Sequence, residues 1–204
     1  MARPASHYFT PPPPSEAPGR ERIVRFEDGG RLYRFRTAPG VFSRGGVDRG
    51  TRLLLEAVEA GDARTILDLG CGYGPLGIVL AGRSPRARVT LIDVNPRAAA
   101  LAAANAKDNG VPNAEAHTGD GLAPAGDTRF DLIVLNPPIR AGRAVVVRLL
   151  REAHEHLAPG GRFYLVARTS QGARTLARCM AGVFGEVREV ERGGGFRVYE
   201  GRDV

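Results

Sequence analysis

The chain has no tryptophan, two cysteines and a single lysine, Lys107. Cys71 and Cys179 are too few for the four-ligand sites of structural zinc. One disulfide would also be a thin framework for a secreted protein of 204 residues. Reduced thiols in a cytoplasm and no bound metal are expected. No run approaches the roughly 18–20 apolar residues of a membrane span, and Met1 to Ser15 carry no apolar signal-peptide core. No membrane partner is expected.

What is present is ordinary globular composition, 43% hydrophobic and 25% charged, which excludes wholesale disorder and collagen-like repeats. The length suits one domain of roughly 100–200 residues. The formal net charge of +7 is carried by arginine. Residues 1–52 hold ten arginines against five acids, whereas the remainder is nearly balanced. A basic surplus gathered at one end invites a polyanionic partner.

Pro11 to Pro14 and Pro18 make residues 1–20 a flexible, polyproline-like tail in which only His7-Tyr8-Phe9 could dock. Residues 21–204 are then the folded domain. Ile23-Val24-Arg25-Phe26 and Leu32-Tyr33-Arg34-Phe35 alternate around Asp28-Gly29-Gly30, the signature of a β-hairpin within an amino-terminal extension of about 21–50. Helical spacing follows over 51–60. Strands are predicted at 64–69, 87–93, 113–117, 130–135 and 161–167, with helix-length segments between them. The clearest helix, 96–109, has Asn95 as its cap, Pro96 at its first position and Gly110 at its stop. Such alternation predicts a mostly parallel sheet covered by helices on both faces. Segments 183–190 and 195–200, divided by Arg192-Gly193-Gly194, can pair only as an antiparallel hairpin.

The strongest local signal is Asp68-Leu69-Gly70-Cys71-Gly72-Tyr73-Gly74-Pro75-Leu76-Gly77, between a strand and a helix. Its glycines permit a tight turn and a close backbone approach to a ligand. The spacing Gly72-x-Gly74-x-x-Gly77 also matches a dinucleotide fingerprint, with Asp93-Val94 about twenty residues on, where a ribose-binding acid is expected. Asp68 argues against that ligand, because a pyrophosphate beside a carboxylate is repelled. S-adenosylmethionine meets both demands, having an ammonium, a sulfonium and no phosphate. Asp93 would accept from its ribose hydroxyls, and Asp120, in Gly119-Asp120-Gly121, from its adenine amino group.

The second signal is Asp131-Leu132-Ile133-Val134-Leu135-Asn136-Pro137-Pro138-Ile139, a buried strand that must leave the sheet at its prolines. It exits at the carboxyl edge, where open α/β sheets bind ligands. Proline carbonyls and the Asn136 side chain offer acceptors to an amino group and so orient its lone pair. Rate would come from alignment and electrostatics, with no covalent intermediate. Cys71 reads as a small residue permitting the loop, since no histidine is placed to activate it. His154 and His156 point to different helix faces, which argues against a metal.

The glycine loop, Asp93 and Asn136-Pro137-Pro138-Ile139 together resemble the class I SAM-dependent methyltransferases that act on exocyclic amino or amide nitrogens. Pro39-Gly40-Val41-Phe42-Ser43, Asp48-x-Gly50-Thr51 and Asn136-Pro-Pro-Ile-Arg140-Ala-Gly142 narrow the resemblance to the small-domain methyltransferase family, which includes the ribosomal small-subunit guanine-N2 methyltransferase C. The resemblance covers about residues 21–204 and the chain looks like a compact, single-domain branch. It implies a Rossmann-like, mostly parallel seven-stranded sheet with an antiparallel carboxyl-terminal hairpin, and a SAM site built from Asp68, Gly70, Cys71, Gly72, Tyr73, Gly74, Asp93, Val94, Asp120, Gly121 and Asn136.

Asn136, Pro137, Pro138 and Ile139 would be catalytic. Many amino methyltransferases carry an aromatic residue where this chain has Ile139, and Phe42 is an alternative aromatic face for a base. Arg140 and Arg143 would hold phosphates. Arg31, Arg34 and Arg36, with Arg44, Arg49 and Arg52, would form a basic rim. The leading expectation is N2 methylation of a guanine in small-subunit ribosomal RNA, as naked RNA or within the subunit. The alternatives are an N-methyltransferase for a protein glutamine or a small molecule, a non-catalytic RNA-binding protein, and, last, a dinucleotide oxidoreductase.

Overall fold

The computed structural model describes residues 21–203; the proline-rich segment 1–20 lies outside the described residues. The amino-terminal hairpin forms as expected, with β1 (Arg22–Asp28) antiparallel to β2 (Arg31–Thr37) across the Gly29–Gly30 turn. Helix α1 (Arg49–Ala57) follows. Next come β3 (Thr65–Leu69), α2 (Pro75–Arg83), β4 (Arg88–Asp93), α3 (Pro96–Asp108), β5 (Ala114–Thr118) and β6 (Phe130–Leu135). The chain ends with α4 (Arg143–Glu155), β7 (Leu157–Arg168), α5 (Ala173–Ala181), β8 (Glu186–Gly193) and β9 (Phe196–Arg202).

Strands β3 to β9 make one sheet in the order β5-β4-β3-β6-β7-β9-β8. Pairings from β5 across to β7 are parallel, and β9 is antiparallel to both its neighbours. The chain steps outward from β3 to β4 and β5, then returns to place β6 on the other side of β3. That reversal opens a crevice at the carboxyl ends of β3 and β6, where ligands bind in such sheets.

Two apolar layers sandwich the sheet. One holds the buried faces of α1, α2, α3 and the hairpin, including Phe35, Leu54, Ile78 and Ala102; the other holds those of α4 and α5, including Leu150 and Met180, packed on Phe163 of β7. Helix α2 lies against the sheet because Gly77 has no side chain. A Cβ there would come within 2.1 Å of Leu91 Cδ2 and 2.9 Å of the Asp68 Cβ.

Helix α3 docks the hairpin in an unusual way. Asn105 Oδ1 accepts from Arg36 N (2.7 Å) while its Nδ2 donates to Arg36 O (3.0 Å). Asn109 does the same with Arg34 N (2.9 Å) and O (2.8 Å). Four residues of helix rise about 6 Å and two residues of strand about 6.8 Å. The two side chains therefore match the strand repeat and satisfy the outer edge of β2, as a further strand would.

Three elements depart from the sequence reading by more than a residue or two. Helix α1 starts two residues earlier, because Asp48 caps it by accepting from Gly50 N and Thr51 N, and ends at Ala57, where Val58 turns extended. Strand β7 starts at Leu157, carrying Pro159-Gly160-Gly161 as an irregularity opposite the register shift at Phe130–Leu132. A Cβ on Gly161 would lie 3.0 Å from Phe130 O, so the strand tolerates the irregularity through glycine. Strand β8 begins only at Glu186, since Val183 N and Phe184 N still bond back to Met180 O at the end of α5. The β8–β9 turn falls accordingly at Gly194–Gly195.

Candidate active site

The crevice is a cavity of about 650 Å³, within the size range of small-ligand sites. Its floor is the glycine loop. Gly74 opens α2 with φ +89°, a left-handed conformation that disfavours any residue with a side chain. A Cβ there would also press to 2.8 Å from Ile78 Cδ1. The loop is anchored by Gly70 N and Cys71 N, both donating to Ile92 O.

Asp68 lies at this floor, 1% exposed, with Oδ2 accepting from Gly77 N at 2.8 Å. Burial is the main reason its carboxyl is pushed up to about 7; the Gly77 bond opposes that rise and the nearby Asp93 charge adds to it. A buried acid in this state gains most from a cationic ligand, which removes the penalty of holding its charge out of water. Asp93, also 1% exposed, accepts from Gly72 N through Oδ2 and from Asn95 N through Oδ1, at 2.8 Å each. Burial, with Asp68 and Asp93 nearby, drives the Cys71 thiol well above its ordinary range, so it stays protonated and unreactive. Tyr73 is buried against Phe35 and donates its hydroxyl to Gly46 O at 3.1 Å, tying the glycine loop to the segment before α1.

At the opposite wall, β6 ends and Asn136-Pro137-Pro138-Ile139 turns out of the sheet. Ile139 N donates to Pro137 O and Ala141 N to Pro138 O, both at 2.9 Å. The proline carbonyls are thus partly occupied by their own turn. Asn136 is the better-controlled acceptor. Its Nδ2 donates to Asp48 Oδ2 at 3.2 Å and Thr51 Oγ1 at 3.1 Å, which leaves Oδ1 to accept.

The predicted site residues Asp68, Gly70 to Tyr73, Asp93, Val94, Asp120, Gly121, Asn136 to Ile139, Arg140 and Phe42 all line this one cavity. Asp120 does so with its Oδ1 held by Arg148 Nη2 at 2.6 Å. Phe42 is 49% exposed. Gly74 and Arg143 do not line the cavity; Gly74 turns the loop into α2, and Arg143 opens α4 with its Nη2 3.5 Å from Cys179 Sγ. The basic rim is divided. Arg36 pairs with Asp108, Arg31 bonds to Asn109 O and covers the Tyr33 ring, and Arg52 bonds to Val47 O and covers the Phe26 ring.

Sequence reasoning missed Asp48 and Thr51 as site residues and placed the start of their helix two residues late. It also missed Arg168, Gln171 and Phe196, which reach the cavity from the ends of β7 and β9. Arg168 lies over the Phe196 ring at 5.7 Å. Only the pairing of these two strands, Arg168 opposite Phe196, joins residues so far apart in the chain.

Residues 32–200 match the methyltransferase small domain family. The chain belongs to that family. It is a SAM-dependent methyltransferase domain. A Bacillus subtilis (strain 168) relative, the uncharacterized protein YbxB, is 33% identical over 202 residues, covering 98% of this chain and 100% of its own length. Ribosomal RNA small subunit methyltransferase C of Pseudomonas putida (strain F1) is 37% identical over 166 residues, covering 79% of this chain and 48% of that protein. Among solved structures, the T. thermophilus 16S rRNA N2 methyltransferase RsmC, in complex with AdoMet and guanosine, superposes with a TM-score of 0.81 at 28% identity. That match covers 94% of this chain and 52% of RsmC, so this methyltransferase domain spans about half the length of the methyltransferase C relatives.

Proposed function

We propose that this protein methylates the exocyclic N2 amine of a guanine in small-subunit ribosomal RNA, in the cytoplasm where that RNA is assembled. The observation that carries the reading is the fixed amide of Asn136. With Nδ2 held by Asp48 and Thr51, Oδ1 is left to accept an N–H of an incoming amine and turn the nitrogen lone pair into the cavity. Alignment of this kind can supply several kcal/mol of a barrier without any covalent intermediate.

The residues opposite fit S-adenosylmethionine. Asp68 is a buried acid suited to an ammonium, Asp93 is a carboxylate on the cavity wall suited to ribose hydroxyls, and Asp120 and Gly121 border the same space. When bound, the cofactor supplies a methyl on a sulfonium that departs as a neutral thioether, while the amine gains the methyl and loses one proton to solvent. The chain's own residues hold and orient; none is asked to form a bond. Phe42 and Ile139 line the cavity on the acceptor side and offer faces to a planar base, and Arg140 is exposed beside them for a phosphate. The methyltransferase C relatives and the RsmC neighbour support the RNA acceptor.

The test is transfer of labelled methyl from SAM by wild-type and Asn136→Ala protein to undermethylated small subunits, their naked RNA and ribosomal proteins, in parallel. Label released on RNA digestion as N2-methylguanosine, and lost in the variant, is the expected result. Label in protein alone would move the acceptor to a glutamine amide. No label despite SAM binding would overturn the assigned acceptor.

A further inference from the structure

We propose that the outward face of the β1–β2 ribbon is a second RNA-binding surface, taking backbone phosphates of the strand that leads away from the methylated nucleotide. The proposal rests on RNA being the acceptor's polymer, and its test separates the two.

The inner face of the ribbon is fully used, with Val24, Phe26, Tyr33 and Phe35 buried in the core. Its outer face presents Ile23, Arg25, Glu27, Leu32, Arg34 and Arg36, all exposed. Arg25 and Arg34 stand directly opposite each other in the register. Like charges so placed repel, and a fold gains nothing from them unless something anionic settles between them. Neither has a carboxylate partner among the described residues. By contrast, Arg188, Arg197 and Arg202 on β8 and β9 each have one, in Glu200, Glu189 and Glu200 respectively. Arg36 extends the row toward the cavity; even paired with Asp108 its side chain remains 46% exposed. The one acid of this face, Glu27, lies at the far end beside the turn, opposite Leu32.

Geometry joins the row to the active site. After Arg36 the chain runs through Thr37, Ala38 and Pro39 into Gly40, Val41 and Phe42, which wall the cavity. Four residues of extended chain span at most about 14 Å, so the backbone that carries Arg36 stands a short step from this wall of the cavity. The backbone beneath the row is rigid, because Asn105 and Asn109 fix both polar groups of Arg36 and Arg34. Guanidiniums carried on a fixed ribbon suit a phosphate backbone, which is read by position and charge. Ile23 and Leu32, 58% and 52% exposed, flank them as apolar shoulders for sugars or unstacked bases.

The experiment compares wild type with an Arg25→Gln, Arg34→Gln double variant, measuring direct binding to naked small-subunit RNA over a salt series alongside methyl transfer. Losing two phosphate contacts should make the slope of log K against log salt shallower by about 1.4 and weaken binding roughly ten-fold near 0.1 M salt. SAM affinity, thermal midpoint and kcat at saturating RNA should hold, since the outer face touches neither cavity nor core. RNA affinity and salt slope equal to wild type would overturn the ribbon proposal. So would a loss confined to binding of ribosomal proteins, which would assign the face to an acidic protein segment. Variant-sensitive RNA binding with no methyl label in RNA would leave the ribbon standing and remove the acceptor assignment instead.

Discussion

Asp48 Oδ2 accepts both from Gly50 N, as the cap of α1, and from Asn136 Nδ2, 88 residues away, so the start of one helix sets the orientation of the amide at the end of β6. Thr51 Oγ1, one turn into the same helix, takes the other Asn136 N–H. Helix capping and the setting of the proposed acceptor amide therefore share one carboxylate. Asp48→Ala should lower stability by about 1 kcal/mol through the lost cap and reduce kcat by ten-fold or more. Thr51→Val, which keeps the cap and the side-chain volume, should reduce kcat several-fold with little change in thermal midpoint. SAM affinity should be unaltered in both. Single-turnover methyl transfer beside calorimetric SAM binding checks this, and a loss of SAM affinity matching the loss of rate would refute an orienting role.

With Asp68 proposed to hold the cofactor's ammonium, its raised carboxyl predicts that cofactor binding depends on pH. A group that is neutral below about 7 must give up its proton to pair with a cation, so affinity for SAM should rise between pH 6 and 8. Stability of the free protein runs the other way. Asp68 binds its proton more tightly folded than unfolded, so its contribution falls as pH climbs from about 4, the ordinary carboxylate value, through about 7. Asp68→Asn should weaken SAM binding and flatten both profiles. A wild-type dissociation constant constant across pH 6 to 8 would contradict the assignment.

Gly77 is a packing requirement. Its missing Cβ admits α2 to the sheet at Leu91 and Asp68, where an added methyl would lie 2.1 Å from Leu91 Cδ2. Gly77→Ala should therefore destabilise by about 1–3 kcal/mol, the usual range for overpacking. It should also impair SAM binding, by displacing the carboxylate whose Oδ2 accepts from Gly77 N. Denaturant melts read the first effect and SAM titration the second.

Local chemistry made most of this site legible. The glycine loop, Asp93 and the Asn-Pro-Pro turn each announce themselves within a few residues, and all follow strands that the alternation of apolar runs located. What sequence could not supply was distance across the fold. Nothing near Asp48 in the sequence tells that β6 lies beside α1, and Arg168 and Phe196 meet only because β9 pairs antiparallel with β7. The rim arginines were legible as charge but not as partners: Arg36 finds Asp108 and Arg52 finds a ring, while Arg34 stands opposite Arg25, which the sequence reading of the rim left out.

The hairpin's attachment was equally hidden, because nothing local to Asn105 or Asn109 marks the strand backbone that they bond. Asn105 is fully buried and makes three bonds, two to the Arg36 backbone and one, at 2.8 Å, to Tyr73 O in the glycine loop. Asn109 is more exposed, and its bonds to Arg34 lie where water can replace them. A buried group left without its partner costs about 1–3 kcal/mol, and an exposed one much less. Asn105→Ala should accordingly destabilise by about 2–4 kcal/mol and weaken SAM binding through Tyr73, whereas Asn109→Ala should cost about 1 kcal/mol or less and leave SAM affinity intact. Equal destabilisation by the two variants in denaturant melts would show that the hairpin is held by its buried aromatic face alone, and that the side-chain mimicry of a strand adds nothing.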